Sequence, residues 1–369
     1  MGAQYLSMDS NDPASASVAE LLQRAGVCAE VPAAVLSATP ERPSRDGWLH
    51  LAGTGGGVND ALKKLLEESG AEVHYEKRIA SLDEQQGRWR ARPFDGAPGL
   101  FDAVVLAVPG CGVGGDNLNK IRGSYEGRFT PEQNRQLLAV QHDARWAFGL
   151  FFSLDCLPKV DAFFGPDAVE KVVDQGGLHL LCHQSRKTAL LSGAAPTGAV
   201  AVVAHTTIDW AKRNARAGGR DERLLREVAE QVQGLLGLDR ASLVASKVIT
   251  WKQCQVTRAA PASRPHGPCM LAGESPALAL AGDYFADSSF GGCLRSAAAA
   301  AEAVAGALAA APRADKASEK EAEGAAEPSA RGAEGGKGGG GKGKTSSAAQ
   351  GQADGYGNKG KEGKGKGKS

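Results

Sequence analysis

The apolar and polar positions change period several times along the chain, and each change predicts an element. Val58, Ala61, Leu62, Leu65 and Leu66 recur at helical spacing between lysines and glutamates, and Gly70 stands where a left-handed cap would end the helix. In AEVHYEKRI (71–79), Val73, Tyr75, Lys77 and Ile79 alternate with His74, Glu76 and Arg78, the pattern of a strand near an edge. A polar turn is expected over 83–87, then a short strand opening at Trp89. The run 101–108 is apolar but for Asp102, as expected of a strand buried on both faces. Thr130-Pro131-Glu132-Gln133 supplies a capping threonine, a first-turn proline and the glutamine of a capping box. RWAFGLFFSLD (145–155), GAVAVVAHTT (198–207) and SLVASKVITWKQCQV (242–256) read as strands. Between Asp221 and Gly237, Leu224, Leu225, Val228, Val232, Leu235 and Leu236 form the stripe of an amphipathic helix. ALALAGDYF (277–285) is an apolar strand closed by glycine, and 293–311 is a helix rich in alanine. Strands and helices alternate, so the fold class is α/β.

Composition changes that picture at one place. From Pro312 the chain turns to Ala, Glu, Lys, Ser and Gly, and from Gly335 to glycine and lysine almost alone. Such a segment cannot bury enough to fold, so 312–369 is expected to be a disordered tail, solubilising or weakly attractive to polyanions. A formal net charge of +1 gives the whole molecule no strong preference for nucleic acid, membrane or acidic substrates. Seven scattered cysteines without a C-x-x-C argue against a disulfide framework or a zinc ribbon and for the cytoplasm or another reducing compartment. The start MGAQYLSMDSNDP has no secretory pattern, and the longest apolar window, 297–311, is alanine interrupted by Glu302.

Gly110-Cys111-Gly112-Val113-Gly114-Gly115 spells G-x-G-x-x-G after a strand, yet no helical stripe follows and no acidic residue closes a second strand. Gly53-Thr54-Gly55-Gly56-Gly57 fails at Val58. HLLCH (179–183) lacks the glutamate of a zinc helix and reads as a strand, and no metal site is expected. No G-x-S-x-G elbow occurs, and Cys111 and Cys182 have no activating partner.

LALAGDYFADSSFGGCLRSA (278–297) holds more. A buried strand ends at Gly282, whose missing side chain lets another group approach the backbone, and Asp283 follows at a strand's carboxyl end. Gly291 and Gly292 open a long helix whose free N–H groups suit an oxygen-rich ligand. A plain loop aspartate before a core helix explains the same residues equally well.

Taken in order, MGAQYLS, GGVNDALKKLLEESGAEVHYEKRI, FDAVVLAVP, RWAFGLFF, VVAHTT, WKQCQVTRAA and AGDYFADSSFGGCLRSA resemble the renalase branch of the flavin-containing amine-oxidase-like superfamily over most of 1–310. The resemblance implies a partial FAD/NAD(P)-binding Rossmann-like domain, a mixed β-sheet and helix substrate domain of the amine-oxidase-like type, and FAD as cofactor. It divides the chain into an FAD-binding part with some substrate-domain strands (1–109), a substrate-binding part (110–256), a C-terminal FAD-binding segment (257–311) and the tail (312–369). By the same resemblance, Gly282 and Asp283 hold the ribityl-phosphate region, and Gly291, Gly292 and Cys293 face the flavin pyrimidine edge. The Ile79 backbone receives the adenine, Gly2, Ala3 and Gln4 lie near the isoalloxazine, and 110–115 becomes a connecting loop. Family members carry a G-x-G-x-x-G βαβ unit ahead of GAQY. Met1 stands in its place here, so a fragment or misassigned start is expected rather than a loss of half the site, and an organelle address could lie upstream.

The activity implied is oxidation of isomeric dihydronicotinamide forms of NAD(P)H to NAD(P), with O2 as acceptor and H2O2 as product. A dihydropyridine already carries a transferable hydride and gains aromaticity by losing it, so no general base is required. No catalytic side chain is assigned. Trp251 and Trp146 are candidate pocket walls and His205 and Lys252 candidate polar contacts, set against ordinary readings as core tryptophans and structural side chains. Amine or polyamine oxidation on the same flavin scaffold stays open, as does a non-catalytic remnant that holds no FAD.

Overall fold

A computed structural model describes residues 3–36, 47–55, 57–109, 120–216, 221–261 and 265–311; Gly2, the glycines at 110–115 and the tail lie outside them. The chain begins β1 (Leu6–Asp9), α1 (Pro13–Arg24), β2 (Cys28–Glu30), β3 (Trp48–Gly53), α2 (Val58–Ser69) and the strands β4 (Ile79–Gln85), β5 (Arg88–Pro93), β6 (Gly99–Phe101) and β7 (Ala103–Leu106). It continues α3 (Pro131–Leu138), β8 (Gln141–His142), β9 (Arg145–Phe152), α4 (Leu157–Phe164), β10 (Glu170–Gln175), β11 (Leu178–His183), α5 (Gln184–Ser192), β12 (Val200–Thr206) and α6 (Ile208–Arg213). Last come α7 (Glu222–Leu236), β13 (Leu243–Trp251), β14 (Val256–Arg258), β15 (Met270–Glu274), β16 (Ala277–Leu280) and α8 (Phe290–Ala310).

The largest sheet is antiparallel, in the order β10-β11-β12-β9-β13. Its two faces follow from the two-residue period of a strand. Trp146, Phe148, Leu150 and Phe152 of β9 point to one side and build a core with α4, with Trp210 of α6 and with Leu224, Val228, Val232 and Leu236 of α7. The predicted stripe of α7 is therefore the face it buries, and its ends are as the sequence implied. Asp221 accepts the N–H groups of Arg223 and Leu224, and Gly237 closes the helix in the left-handed region at φ 62°. Arg145 and Ala147 of β9, His205 of β12 and Trp251 of β13 occupy the opposite side of the sheet, as the pairing of Ala147 with His205 and of Arg145 with Trp251 fixes.

A second core gathers around β16. This strand is fully buried and runs parallel to β7 on one side and antiparallel to β15 on the other. Trp89 of β5 donates its indole N–H to the Ala277 carbonyl at 2.8 Å, which ties the β4-β5-β6 sheet to it. Helix α8 lies on β15 and β16 and also on β1 of the small β1-β3-β2 sheet. The capping box of α3 is present, with both Thr130 and Gln133 in place.

Several expectations need correction. Residues 71–78 form no strand: among the described residues no ladder partner lies beside them, Tyr75 is exposed, and Glu76 takes a left-handed φ of 59°. The turn expected over 83–87 is shorter, since β4 runs to Gln85 and only Gln86 and Gly87, at φ 52° and 71°, make the two-residue hairpin. The run 101–108 holds the last residue of β6 and the whole of β7, and β7 is not covered on both faces. As the outer strand of its sheet among the described residues it buries Leu106 and exposes Val105. Helix α8 is long and apolar enough, by length and composition, to cross a membrane, contrary to the reading of its alanines; its buried Ser296, Ala300, Ala303 and Ala307 form one stripe on the protein. The β1-α1-β2 segment carried no reading in the sequence.

Gly177, at φ +90° in the β10–β11 turn, leaves no room for a side chain, because a Cβ would stand 2.1 Å from the Trp210 ring. Gly177→Ala should cost about 2–4 kcal/mol in urea unfolding, against about 1 kcal/mol for Gly26→Ala, where the left-handed φ faces open space; equal costs would disprove the clash. His183 caps α5 by accepting the Arg186 N–H at its Nδ1, so its Nε2 carries the proton and donates to Asp161 at 3.0 Å. Burial holds its pKa, with those of His142 and His205, below the ordinary histidine value. The unfolded chain then binds more protons just below pH ~6.5. The stability these rings provide is complete above that pH and declines as the pH falls below it. Urea midpoints at pH 7.5, 6 and 5 should decrease in that order, and a flat series would contradict the neutral rings.

Candidate functional site

The segment after β16 builds one wall of the site. Gly282 is extended and donates its N–H to Ser296 Oγ of α8 at 2.9 Å. Asp283 follows, partly buried, in a single helical turn that ends at Phe285. Burial raises its pKa, opposed by the nearby His142, by backbone N–H groups and by Ser288, whose hydroxyl lies 3.5 Å away. Its carboxylate has no cation within ion-pairing distance among the described residues and keeps acceptor capacity. Ser289 caps α8 by accepting the Gly292 N–H at 2.9 Å, and Asp287 binds both Ser289 and Arg295. Among the described residues the N–H groups of Phe290 and Gly291 meet no acceptor, at the positive end of a 21-residue helix.

The glycines here answer to the chain itself, and the group that comes close to the Gly282 backbone is the Tyr284 ring. A Cβ on Gly282 would stand 2.3 Å from the Tyr284 ring, and one on Gly292 would stand 2.2 Å from the Asp287 carbonyl. A Cβ on Gly291 would stand 3.3 Å from the Met8 Cα, a tight but not a forbidden contact. The groups left for a ligand are the Asp283 carboxylate and the amides of the helix start.

The facing wall is assembled by Asp143. This buried carboxylate accepts the Gln255 N–H at 2.9 Å and lies 3.4 Å from Arg145 Nε, while its carbonyl accepts the Cys254 N–H at 2.9 Å. The loop between β13 and β14 is thereby fixed to the start of β9. Burial and the Asp143 charge push the Cys254 thiol up to about 11, with Asp283 adding to the effect. Cys293 is reached by solvent, yet the protein crowded around it and the Asp283 charge likewise push it up to about 11. His142, Cys254 and Cys293 thus all lie within reach of the Asp283 charge.

Beyond Arg145 lies His205. Its Nε2 is covered and has no hydrogen-bond partner, and burial, Arg145, Lys187 and His179 lower its pKa to about 3. Lys187 of α5 donates to the side-chain and backbone oxygens of Gln4, at 2.7 and 3.3 Å.

The predicted residues are therefore divided. Asp283, Cys293, His205 and Gln4 belong to one connected cluster, while Trp251 and Lys252 lie exposed at its rim, beside the Asp143-bound loop. Trp146 stands apart: strand alternation turns it to the helix side, where it stacks on Phe148 and meets Trp210 edge-on at 5.3 Å. Ala3 is exposed, and Ile79, paired with Pro93, is joined to the cluster by no hydrogen bond or charge. Gly2 lies outside the described residues. His142, Asp143, Arg145 and Lys187 were missed. Arg145 had a signal, a charge opening an otherwise apolar strand; Lys187 had none, because QSRKTALLS shows no pattern that singles it out.

Residues 44–305 match the family described as flavin containing amine oxidoreductase. Renalase of Mus musculus is 25% identical over 242 residues, which are 65% of this chain and 65% of that protein. A crystal structure from Exiguobacterium sp. 255-15, of a protein provisionally named protoporphyrinogen oxidase, aligns with a TM-score of 0.47 at 14% identity, over 70% of this chain and 52% of that one. The chain thus spans just under two thirds of the mouse protein and about half of the bacterial one. The family match takes in most of the chain, including both walls of the site: this chain belongs to the flavin containing amine oxidoreductase family, and FAD is its cofactor.

Proposed function

We propose that the chain is an FAD-dependent oxidase that converts isomeric dihydronicotinamide forms of NAD(P)H to NAD(P), with dioxygen as acceptor and hydrogen peroxide as product. The observation that carries this reading is the continuity of the cluster. The Asp283 and Asp143 charges both act on His142 and Cys254, and Arg145, which faces Asp143, acts on His205. A cofactor arm and a substrate face then belong to one site. The likeness to the mouse protein supports the same choice.

The residues present fit the sugar-phosphate arm of FAD. Asp283 can accept ribityl hydroxyls, and the Phe290 and Gly291 amides can donate to a phosphate oxygen. When bound, FAD supplies a two-electron acceptor that is reoxidised by dioxygen to give hydrogen peroxide. The protein's own part is to orient the substrate ring and shield it. His205 stays neutral, Cys254 and Cys293 stay thiols, and Trp251 offers an aromatic surface at the rim. Amine oxidation, the second reading, draws on the family description. It calls for an aromatic cage, and with Trp146 turned into the helix-side core only Trp251 of the two candidates is left for one.

Removing the Asp283 carboxylate should weaken FAD binding about 10- to 100-fold, as the loss of a charge-assisted hydrogen bond worth ~1.5–3 kcal/mol implies. Titration of flavin fluorescence with wild type and Asp283→Ala measures this, and unchanged affinity would move the arm elsewhere. Supplied with FAD, the protein should release peroxide from aged NADH containing its isomers and not from benzylamine or spermidine. Peroxide from the amines alone would establish the second reading, and a chain that takes up no FAD would end both.

A further inference from the structure

The sheet face that carries His205 also holds a cation with no carboxylate against it. Lys187 is 3% exposed, its Nζ bonded to the two Gln4 oxygens and 4.8 Å from the centre of the Tyr5 ring. Among the described residues no carboxylate lies within ion-pairing distance of it. Arg145, 6% exposed, is instead engaged by Asp143, whose other oxygen is taken by the Gln255 N–H. His205 lies within reach of both cations, and its covered Nε2 has no partner. A buried ammonium answered only by an amide and a ring leaves much of its field uncompensated. In surroundings less polarisable than water that field extends over several ångströms.

We propose that Lys187 sets the charge selectivity of the substrate site, favouring a ring that bears an acceptor oxygen, as a carboxamide or carboxylate, over one that bears an ammonium. This deepens the dihydronicotinamide reading and rests on the same site. Because Gln4 and Tyr5 cover Lys187, it is a positioning residue that works through its charge and through Gln4. A protonated amine would bring a second positive charge toward one that has no counter-ion, whereas a carbonyl or carboxylate oxygen would supply the missing complement.

The test is equilibrium binding of three inert ring ligands, nicotinate, nicotinamide and benzylamine, to the full chain with FAD present, followed by isothermal titration calorimetry. Nicotinate and nicotinamide should bind at least about tenfold more tightly than benzylamine. Lys187→Met should erase most of that ratio and Lys187→Arg should restore it, while a merely structural role would weaken all three ligands together. Gln4→Leu removes the neutral partner and leaves the charge, so it should keep the preference even if Lys187→Met does not fold. Wild-type protein that binds benzylamine as tightly as nicotinate, or that binds none of the three, overturns the proposal. The functional reading fails separately: oxidation of the dihydronicotinamide isomers can be absent while the preference holds, or present while Lys187→Met leaves the ratio unchanged.

Discussion

Asp143 sits between β8 and β9 with 3% of its surface exposed, and its backbone and side chain meet the same short loop at several points. Its N–H donates to the Gln255 carbonyl, its own carbonyl accepts the Cys254 N–H, and its carboxylate takes the Gln255 N–H and faces Arg145. A buried guanidinium robbed of its carboxylate is typically destabilising by about 3–5 kcal/mol, so this junction cannot be loosened in part. Through it the start of β9 and the loop that bears Cys254 keep fixed relations. Those relations define one wall of the candidate site.

The glycines of the α8 start show how little a motif says about what it binds. The chain folds back upon itself here: the Tyr284 ring and the Asp287 carbonyl occupy the places where side chains at Gly282 and Gly292 would be, and the Met8 backbone crowds the one at Gly291. Their indirect effect is to seat the helix start closely against β1, beside the open carboxylate of Asp283. Binding capacity is then a by-product of tight packing, carried by amides and a carboxylate rather than by the glycines.

Those elements were legible whose signals are local. The capping box at Thr130, the stripe of α7 between Asp221 and Gly237 and the apolar strands β9 and β12 each appear in a few neighbouring residues, and the structure repeats them. What could not be read depends on partners far along the chain. Alternation over 71–79 resembles a strand, but a strand needs a ladder, and none lies beside it among the described residues. Trp146 and His205 are both strand residues near the site in sequence terms, yet pairing puts them on opposite faces. Asp143 and Lys187 acquire their roles from Gln255 and Gln4, 112 and 183 residues away. Asp283 could be singled out as a candidate because its environment, a strand end before a long helix, is itself local.

The raised thiol values at Cys254 and Cys293 bear on endurance. Peroxide attacks the sulfur anion far faster than its protonated form, and at a pKa of about 11 only about one molecule in ten thousand carries that anion at neutral pH. Under the proposed function, peroxide would be released near both sulfurs. Here burial, with the nearby carboxylate charges adding to it, keeps both sulfurs in their least vulnerable form, so under the proposed oxidase reading the surroundings that suit the cofactor also protect these side chains from the product.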